Sequence, residues 1–163
     1  MAQRFYSDLD LATFDKFNRE LVGDVVNEKD GIIFQQVVVY KISVKDTRTN
    51  VYGETVGGKV FKAGVKVAAL VDAEDQTTNT DEFGPDRVQN VSFSFLRKTL
   101  RDIEFVVDVG DIVNWNEGFW EITNKSENQL VGGQTDADYI HSVVCNAYLT
   151  RLSHLNIERM RSI

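Results

Sequence analysis

The stretch 105–123, FVVDVGDIVNWNEGFWEIT, decides the fold. Two runs dense in β-branched and aromatic residues flank Asn116, Glu117 and Gly118, a turn composition, so the stretch predicts a β-hairpin. Two registers compete. Pairing Trp115 with Trp120 sets Val113 opposite Ile122, gathers four large apolar side chains on one face and leaves Asn114 and Glu121 on the other. A three-residue loop ending in Gly118 pairs Trp115 with Phe119 and Val113 with Glu121, which mixes the faces, although Gly118 suits the left-handed position of such a loop. Side-chain direction alternates with period two, so the unmixed pairing of Trp115 with Trp120 is the expected register.

Strand signals continue on both sides of the hairpin. Upstream, IIFQQVVVYKISV at 32–44 predicts one long strand with Val38, Tyr40, Ile42 and Val44 on one alternating face. A loop carrying Gly53, Gly57, Gly58 and Gly64 comes next. Val65, Val67, Ala69 and Val71 then alternate, as do Val91, Phe93 and Phe95, and both sets read as half-buried strands. Between them VDAEDQTTNTDEFGPD at 71–86 is acidic and turn-rich and holds the sole proline, Pro85, which predicts an exposed, mobile loop or extended tongue. Downstream, after a turn region at Gly132 and Gly133, Val143, Cys145, Ala147 and Leu149 share one face of a last long strand at 140–151.

The N-terminal part differs in period. Leu11, Phe14, Phe17 and Leu21 recur at helical spacing, Ser7 is placed to cap, and Asp8 and Asp10 fall in the first turn, where the helix dipole favours acids. A helix over 8–22 is predicted, with Gly23 as its stop. Its apolar stripe is expected to pack on the parent core rather than on a partner. One helix followed by six or seven strands, with no alternating crossover helices and no internal repeat, implies a mainly β fold: a small antiparallel barrel or sandwich with an N-terminal helix and long loops. We read 1–163 as a single domain, with the barrel over about 32–151 and a C-terminal arm, or a short helix, over about 152–163.

Composition narrows the function. The formal charge of -7 repels phosphates and anionic lipid, which disfavours sequence-blind nucleic-acid binding. The start, MAQRFYSDLDLATFDKF, lacks the apolar run of a signal peptide, and no segment approaches the roughly 20 apolar residues that span a bilayer, so a soluble, cytosolic product without membrane contact is expected. Cys145 is the only cysteine, and with His141 and His154 it makes too few ligands for a Cys/His zinc site. The Asn90-Val91-Ser92 and Asn124-Lys125-Ser126 sequons have no meaning without secretion.

The patterns that invite chemistry fail one by one. Gly53-Glu54-Thr55-Val56-Gly57-Gly58-Lys59-Val60 fits a phosphate-binding loop until Val60, where the magnesium-holding hydroxyl belongs, and the residues beyond Val60 read as strand or loop in place of a helix. His141 and Cys145 lie four strand residues apart, roughly 13 Å, too far for a base and its nucleophile. Asp72, Glu74, Asp75, Asp81, Glu82 and Asp86 lack the alternating spacing and central glycine of a calcium loop. Asp108 and Asp111 flank Gly110 and read as a turn. We therefore expect no catalytic residues, no cofactor and no metal: not an enzyme.

Five segments, in order, carry a resemblance: TRTNVYGE at 47–54, FGPDRVQNVSFSFLRKTLRD at 83–102, VGDIVNWNEGFWEI at 109–122, ENQLVGG at 127–133, and NAYLTRLSHLNI near the end. Together they resemble a neck, or head-completion, protein of contractile-tailed phages of the T-even-like and cyanophage type, over about the last two thirds of the chain. The resemblance implies a homo-oligomeric ring, a hexamer, in the virion neck, assembled in the host cytoplasm. It would close the filled head and join it to the tail, with a portal-side or adaptor neck protein on one side and the tail terminator or tail on the other. DNA would pass nearby without specific binding, and an acidic lumen suits that passage because it repels phosphate.

Contacts between copies or with partners are expected in the 47–64 segment, the acidic loop and the tail, with Arg48, Tyr52, Phe83, Arg151, His154 and Arg159 as candidates. The alternative is another virion part of similar fold: a tail terminator, tail-completion or baseplate protein. A third reading is an oligonucleotide-barrel-type binding domain in which Phe93, Phe95 or Trp120 stacks on bases.

Overall fold

The computed structural model describes residues 7–24, 29–33, 35–48, 50–52, 58–81, 84–129, 140–150 and 155–156. Helix α1, Asp8–Val22, starts at Ser7, whose Oγ accepts from the Asp10 N–H at 3.2 Å. It stops at Gly23, whose φ of +106° an L side chain would resist. Strands β1 (Gly23–Asp24) and β2 (Lys29–Asp30) form a short ladder, followed by β3 (Gln36–Tyr40), β4 (Lys59–Val60), β5 (Val65–Ala73), β6 (Thr77–Asp81), β7 (Gly84–Val88) and β8 (Asn90–Leu96). A short helix α2 (Arg97–Asp102) precedes β9 (Ile112–Trp115), β10 (Gly118–Gln129), β11 (Ile140–Leu149) and β12 (Leu155–Asn156).

Six strands close a barrel in the order β10-β11-β8-β5-β3-β9, every pairing antiparallel, as the mainly β expectation requires. Val67, Ala69, Phe93, Phe95, Val113 and Cys145 have no exposure, and Val37, Val39, Val91, Ile122, Val143 and Ala147 are likewise buried in one cluster. The inward faces expected for β5, β8 and β11 are the ones observed, and the barrel interior is filled by side chains.

The structure differs from expectation at the hairpin. Neither proposed register forms. Trp115 pairs with Gly118, Val113 with Trp120 and Ile112 with Glu121, around a two-residue turn in which Asn116 and Glu117 have φ of +47° and +62°. Two consecutive left-handed residues twist the turn with the strands, which favours it over a longer loop. Trp115, Val113, Trp120 and Ile122 still share one face, because a shift of two residues preserves it. Trp120 lies diagonal to Trp115, ring centroids 5.9 Å apart, and its Nε1–H donates to the Trp115 carbonyl at 3.1 Å. Gly118 makes room for this ring, since a Cβ there would stand 3.2 Å from Trp120 Nε1.

The expected long strand at 32–44 is cut at both ends. The Ile32 and Ile33 N–H groups donate to the carbonyls of Glu20 and Leu21, satisfying the end of α1, and Ile32 remains 83% exposed. At the other end the chain turns out of the barrel after Tyr40, where Ile42 bridges Phe61 and the Ser43 N–H donates to the Val60 carbonyl. The buried face of β3 is Val37 and Val39, opposite to Val38 and Tyr40, because the run is apolar on both faces and period two alone does not choose between them.

The acidic stretch is a two-stranded tongue, β6 with β7, rather than a plain loop. In the tail, Leu155 and Asn156 are strand, parallel to Lys59 and Val60, where an arm or helix was expected.

The stripe of α1 does not sink into the core. Val22 is its buried residue, whereas Phe17 is 63% and Phe14 and Leu21 each 39% exposed. Polar ties hold the helix instead: Arg19 bridges Asp24 and Asp102, and Lys98 Nζ reaches Asp15 Oδ2 at 2.9 Å.

Candidate interaction surfaces

Of the candidate contact residues, Arg48 and Tyr52 lie in the described excursion between β3 and β4. Phe83, Arg151, His154 and Arg159 lie outside the described residues. Arg48 is exposed, Tyr52 is 90% and its neighbour Val51 99% exposed, and Val44 on the same excursion is 79% exposed. The Tyr52 N–H is held by Asn50 Oδ1 at 3.0 Å, so the tip carries its own local turn. Among the described residues, Val51 and Tyr52 thus form an exposed apolar tip on an excursion that also carries Arg48.

The residues that invited chemistry are engaged in structure. Lys59 and Val60 form a strand, and Lys59 Nζ is ion-paired with Glu121 Oε1 at 2.5 Å on the outside of the hairpin, whereas 53–57 of the glycine-rich run lie outside the described residues. Cys145 has no exposure, and burial pushes its thiol up to about 11, which keeps it protonated and inert. His141 packs instead against Phe14 of α1, ring centroids 5.8 Å apart, edge to face. Among the described residues no group of three or more His, Cys, Asp or Glu side chains could hold a metal ion.

Asp108, Gly110 and Asp111 form the expected turn, with more work in it than a turn composition announces. Asp111 has no exposure; its Oδ2 accepts from the Asp108 N–H at 2.9 Å and its Oδ1 from the Ile42 N–H at 3.1 Å. Burial raises its carboxyl above the ordinary range, against the pull of those two amides. The side chain thereby pins the point where the chain leaves β3. Asp108 faces outward onto Lys41 Nζ at 2.7 Å, and this hydrogen bond, opposed by partial burial, holds its carboxyl below the usual range. Sequence reasoning missed both roles; the one available signal was an aspartate inside the apolar run VGDIV.

A second surface feature had no sequence signal. A cleft of about 410 Å³ opens between α2, residues 104–107 and the far part of β10, lined by Arg97, Arg101 and Lys125 above Leu100, Val107 and Val143. Arg97 is paired with Glu127 Oε1 at 2.6 Å. The cleft lies at the same barrel end as α2, away from the tongue.

The aromatics of the third reading are not available to bases. Phe93 and Phe95 have no exposure and Trp120 has 3%, so all three belong to the core.

No family model matches the chain, and no curated protein matches it. Among solved structures, a chain of the virion of a native gene transfer agent particle is similar, with a TM-score of 0.45 and 14% identity over 70% of this chain and 91% of that chain. A likeness that slight carries nothing about function.

Proposed function

We propose that this chain is a structural protein of a phage-type virion that assembles with copies of itself into a ring in the neck, closing the filled head and offering a seat to the tail. The observation that carries the reading is the coincidence of the resembling segment 47–54 with the exposed Val51 and Tyr52 tip, at 99% and 90% exposure. Among the described residues, the groups that invited chemistry are engaged in structure, and the exposed surface is what is left for binding. The barrel interior is filled, the thiol is buried, and the lysine of the glycine-rich loop is paired with a carboxylate. Outside the closed barrel, among the described residues, stand the excursion between β3 and β4, the tongue, and the short ladders β1 with β2 and β4 with β12. The ring neighbours are a portal-side or adaptor protein and the tail.

The position and rotational symmetry of the chain in purified particles tests the reading. A ring of copies between the portal and the tail is expected. A position in the tail tip or baseplate, or a monomer absent from particles, overturns it.

A further inference from the structure

Among the described residues β10 and β6 each carry a strand edge without a partner strand, and the two edges lie at opposite ends of the barrel. The first is on β10. Its residues Gly118 to Glu121 pair with β9, and the backbone bonds of Ile122 with Gly110 and Asp111 complete that side. The strand nevertheless runs on to Gln129, paired among the described residues with β11 alone. Ile122 directs its backbone toward β9. Carried across the bulge that comes after it, the same alternation turns the backbone groups of Lys125 and Glu127 away from β11. Those two residues line the 410 Å³ cleft, over buried Leu100, Val107 and Val143. The cleft is the place where one more strand would complete the wall.

The second edge is on the tongue. Among the described residues, β6 pairs only with β7. Pro85 has no N–H to give its partner Thr80, so that pair is a non-hydrogen-bonded one, and by alternation so is Thr78 with Arg87. The backbone groups of Thr78 and Thr80 therefore point away from β7, from exposed residues. Proline blunts the β7 edge, whereas β6 carries no proline. The tongue leaves the barrel where Ala73 pairs with Val91, and the cleft lies where Leu96 pairs with Ser142; along β8 these are roughly 17 Å apart. Charge agrees with a meeting of the two edges between molecules. The stretch 72–86 holds six carboxylates and no lysine or arginine, and the cleft sets Arg97, Arg101 and Lys125 against Glu104 and Glu127, an excess of one positive charge.

We propose that β6 of one copy adds as a strand to the far part of β10 of a second copy, filling the cleft. The occupant is thus the tongue of this same chain; the arginine-bearing tail would bring cations to cations. Such a contact joins unlike surfaces, so it propagates from copy to copy, and a rotation that closes makes it a ring. It rests on the self-assembly reading above and specifies which surfaces carry it.

The test uses the full chain, in solution and in purified particles. A short bis-maleimide is applied to an equimolar mixture of Thr78→Cys and Ser126→Cys chains; native Cys145, with no exposure, stays silent. Cross-linked dimers are expected from the mixture and not from either variant alone. Thr80→Pro removes an outward N–H without touching the β6 to β7 bonds, and Lys125→Glu sets acid against the acidic tongue. Each should raise the concentration for half-assembly about tenfold, with unchanged far-ultraviolet circular dichroism. Rings that form normally in both variants and give no 78-to-126 product overturn the pairing and leave the neck reading standing. A chain that is monomeric throughout and absent from particles overturns both.

Discussion

Strands β8 and β10 stand two places apart around the same barrel and obey different rules. β8 is flanked along its length by β5 and β11, and its Val91, Phe93 and Phe95 are at most 2% exposed while the residues between them face outward. β10 is twelve residues long beside a four-residue β9; its first part buries Phe119, Trp120 and Ile122, and its far part, Asn124 to Gln129, holds no buried residue. Alternation of apolar and polar residues therefore marks where a strand has something to bury, and not how long the strand is.

The comparison breaks first on the core side. Phe93→Ala should cost about 3–5 kcal/mol in urea unfolding, since the ring has no exposure and meets Phe95 and Trp115 with centroids 6.4 and 6.3 Å away. Ser126→Ala on the far part of β10 should stay within about 0.5 kcal/mol. Equal losses would mean that the far part of β10 is as deeply packed as β8.

The seam between β3 and β9 gives the next effect. Asp111→Ala leaves the N–H groups of Ile42 and Asp108 without their acceptor and should destabilise by about 2 kcal/mol or more. Asp111→Asn keeps one acceptor oxygen and should lose less. A silent Asp111→Ala in thermal unfolding would show that the exit of the chain from β3 is not pinned there.

What the sequence made legible obeys the same division. The helix over Asp8–Val22 was readable with its cap, its acids and its stop, because each is a local signal. The inward faces of β5, β8 and β11 were readable because polar residues alternate with apolar ones. β3 was misread because apolar residues occupy both its faces, and its ends were lost to distant partners: the carbonyls of α1 and the carboxylate of Asp111. Of the candidate contact sites, the exposed Tyr52 lay in a segment already singled out. The cleft was invisible, since its walls come from α2, β10 and residues 104–107. The hairpin sits between these cases: its face was right and its register was off by two, since the turn was judged by composition, and composition did not show that Asn116 and Glu117 both take left-handed backbone.

That turn offers a gain rather than a loss. Glu117 sits at φ +62°, where a Cβ is strained and glycine is not. Glu117→Gly, which makes an Asn-Gly turn, should stabilise by about 0.5 kcal/mol in chemical unfolding. Destabilisation would show that the Glu117 side chain does something the backbone argument omits.

The smallest effect is electrostatic and depends on pH. Lys41 Nζ donates to Asp108 Oδ2 and to the Val106 carbonyl, each at 2.7 Å, on the outside of the seam. The Asp108 side chain is 52% exposed, so solvent screens the pair and Lys41→Met should cost less than about 1 kcal/mol at neutral pH. The pairing with Lys41 lowers the Asp108 carboxyl in the folded chain. The stabilisation from that shift is therefore present in full above the ordinary aspartate value of about 3.9 and is lost as pH falls through the lowered folded value. Stability of the parent chain and of Lys41→Met, measured by urea unfolding from pH 7 to pH 3, should accordingly draw closer at the acidic end. Buried Asp111 acts in the opposite sense, its raised carboxyl costing stability as pH rises from that ordinary value through the folded one. The charge of Lys41 holds that rise back, so Lys41→Met also loses this help above that range and not below it, in the same direction as the loss at Asp108. A difference that holds constant down to pH 3 would assign the whole effect to the bond with the Val106 carbonyl and none to the charge of Asp108.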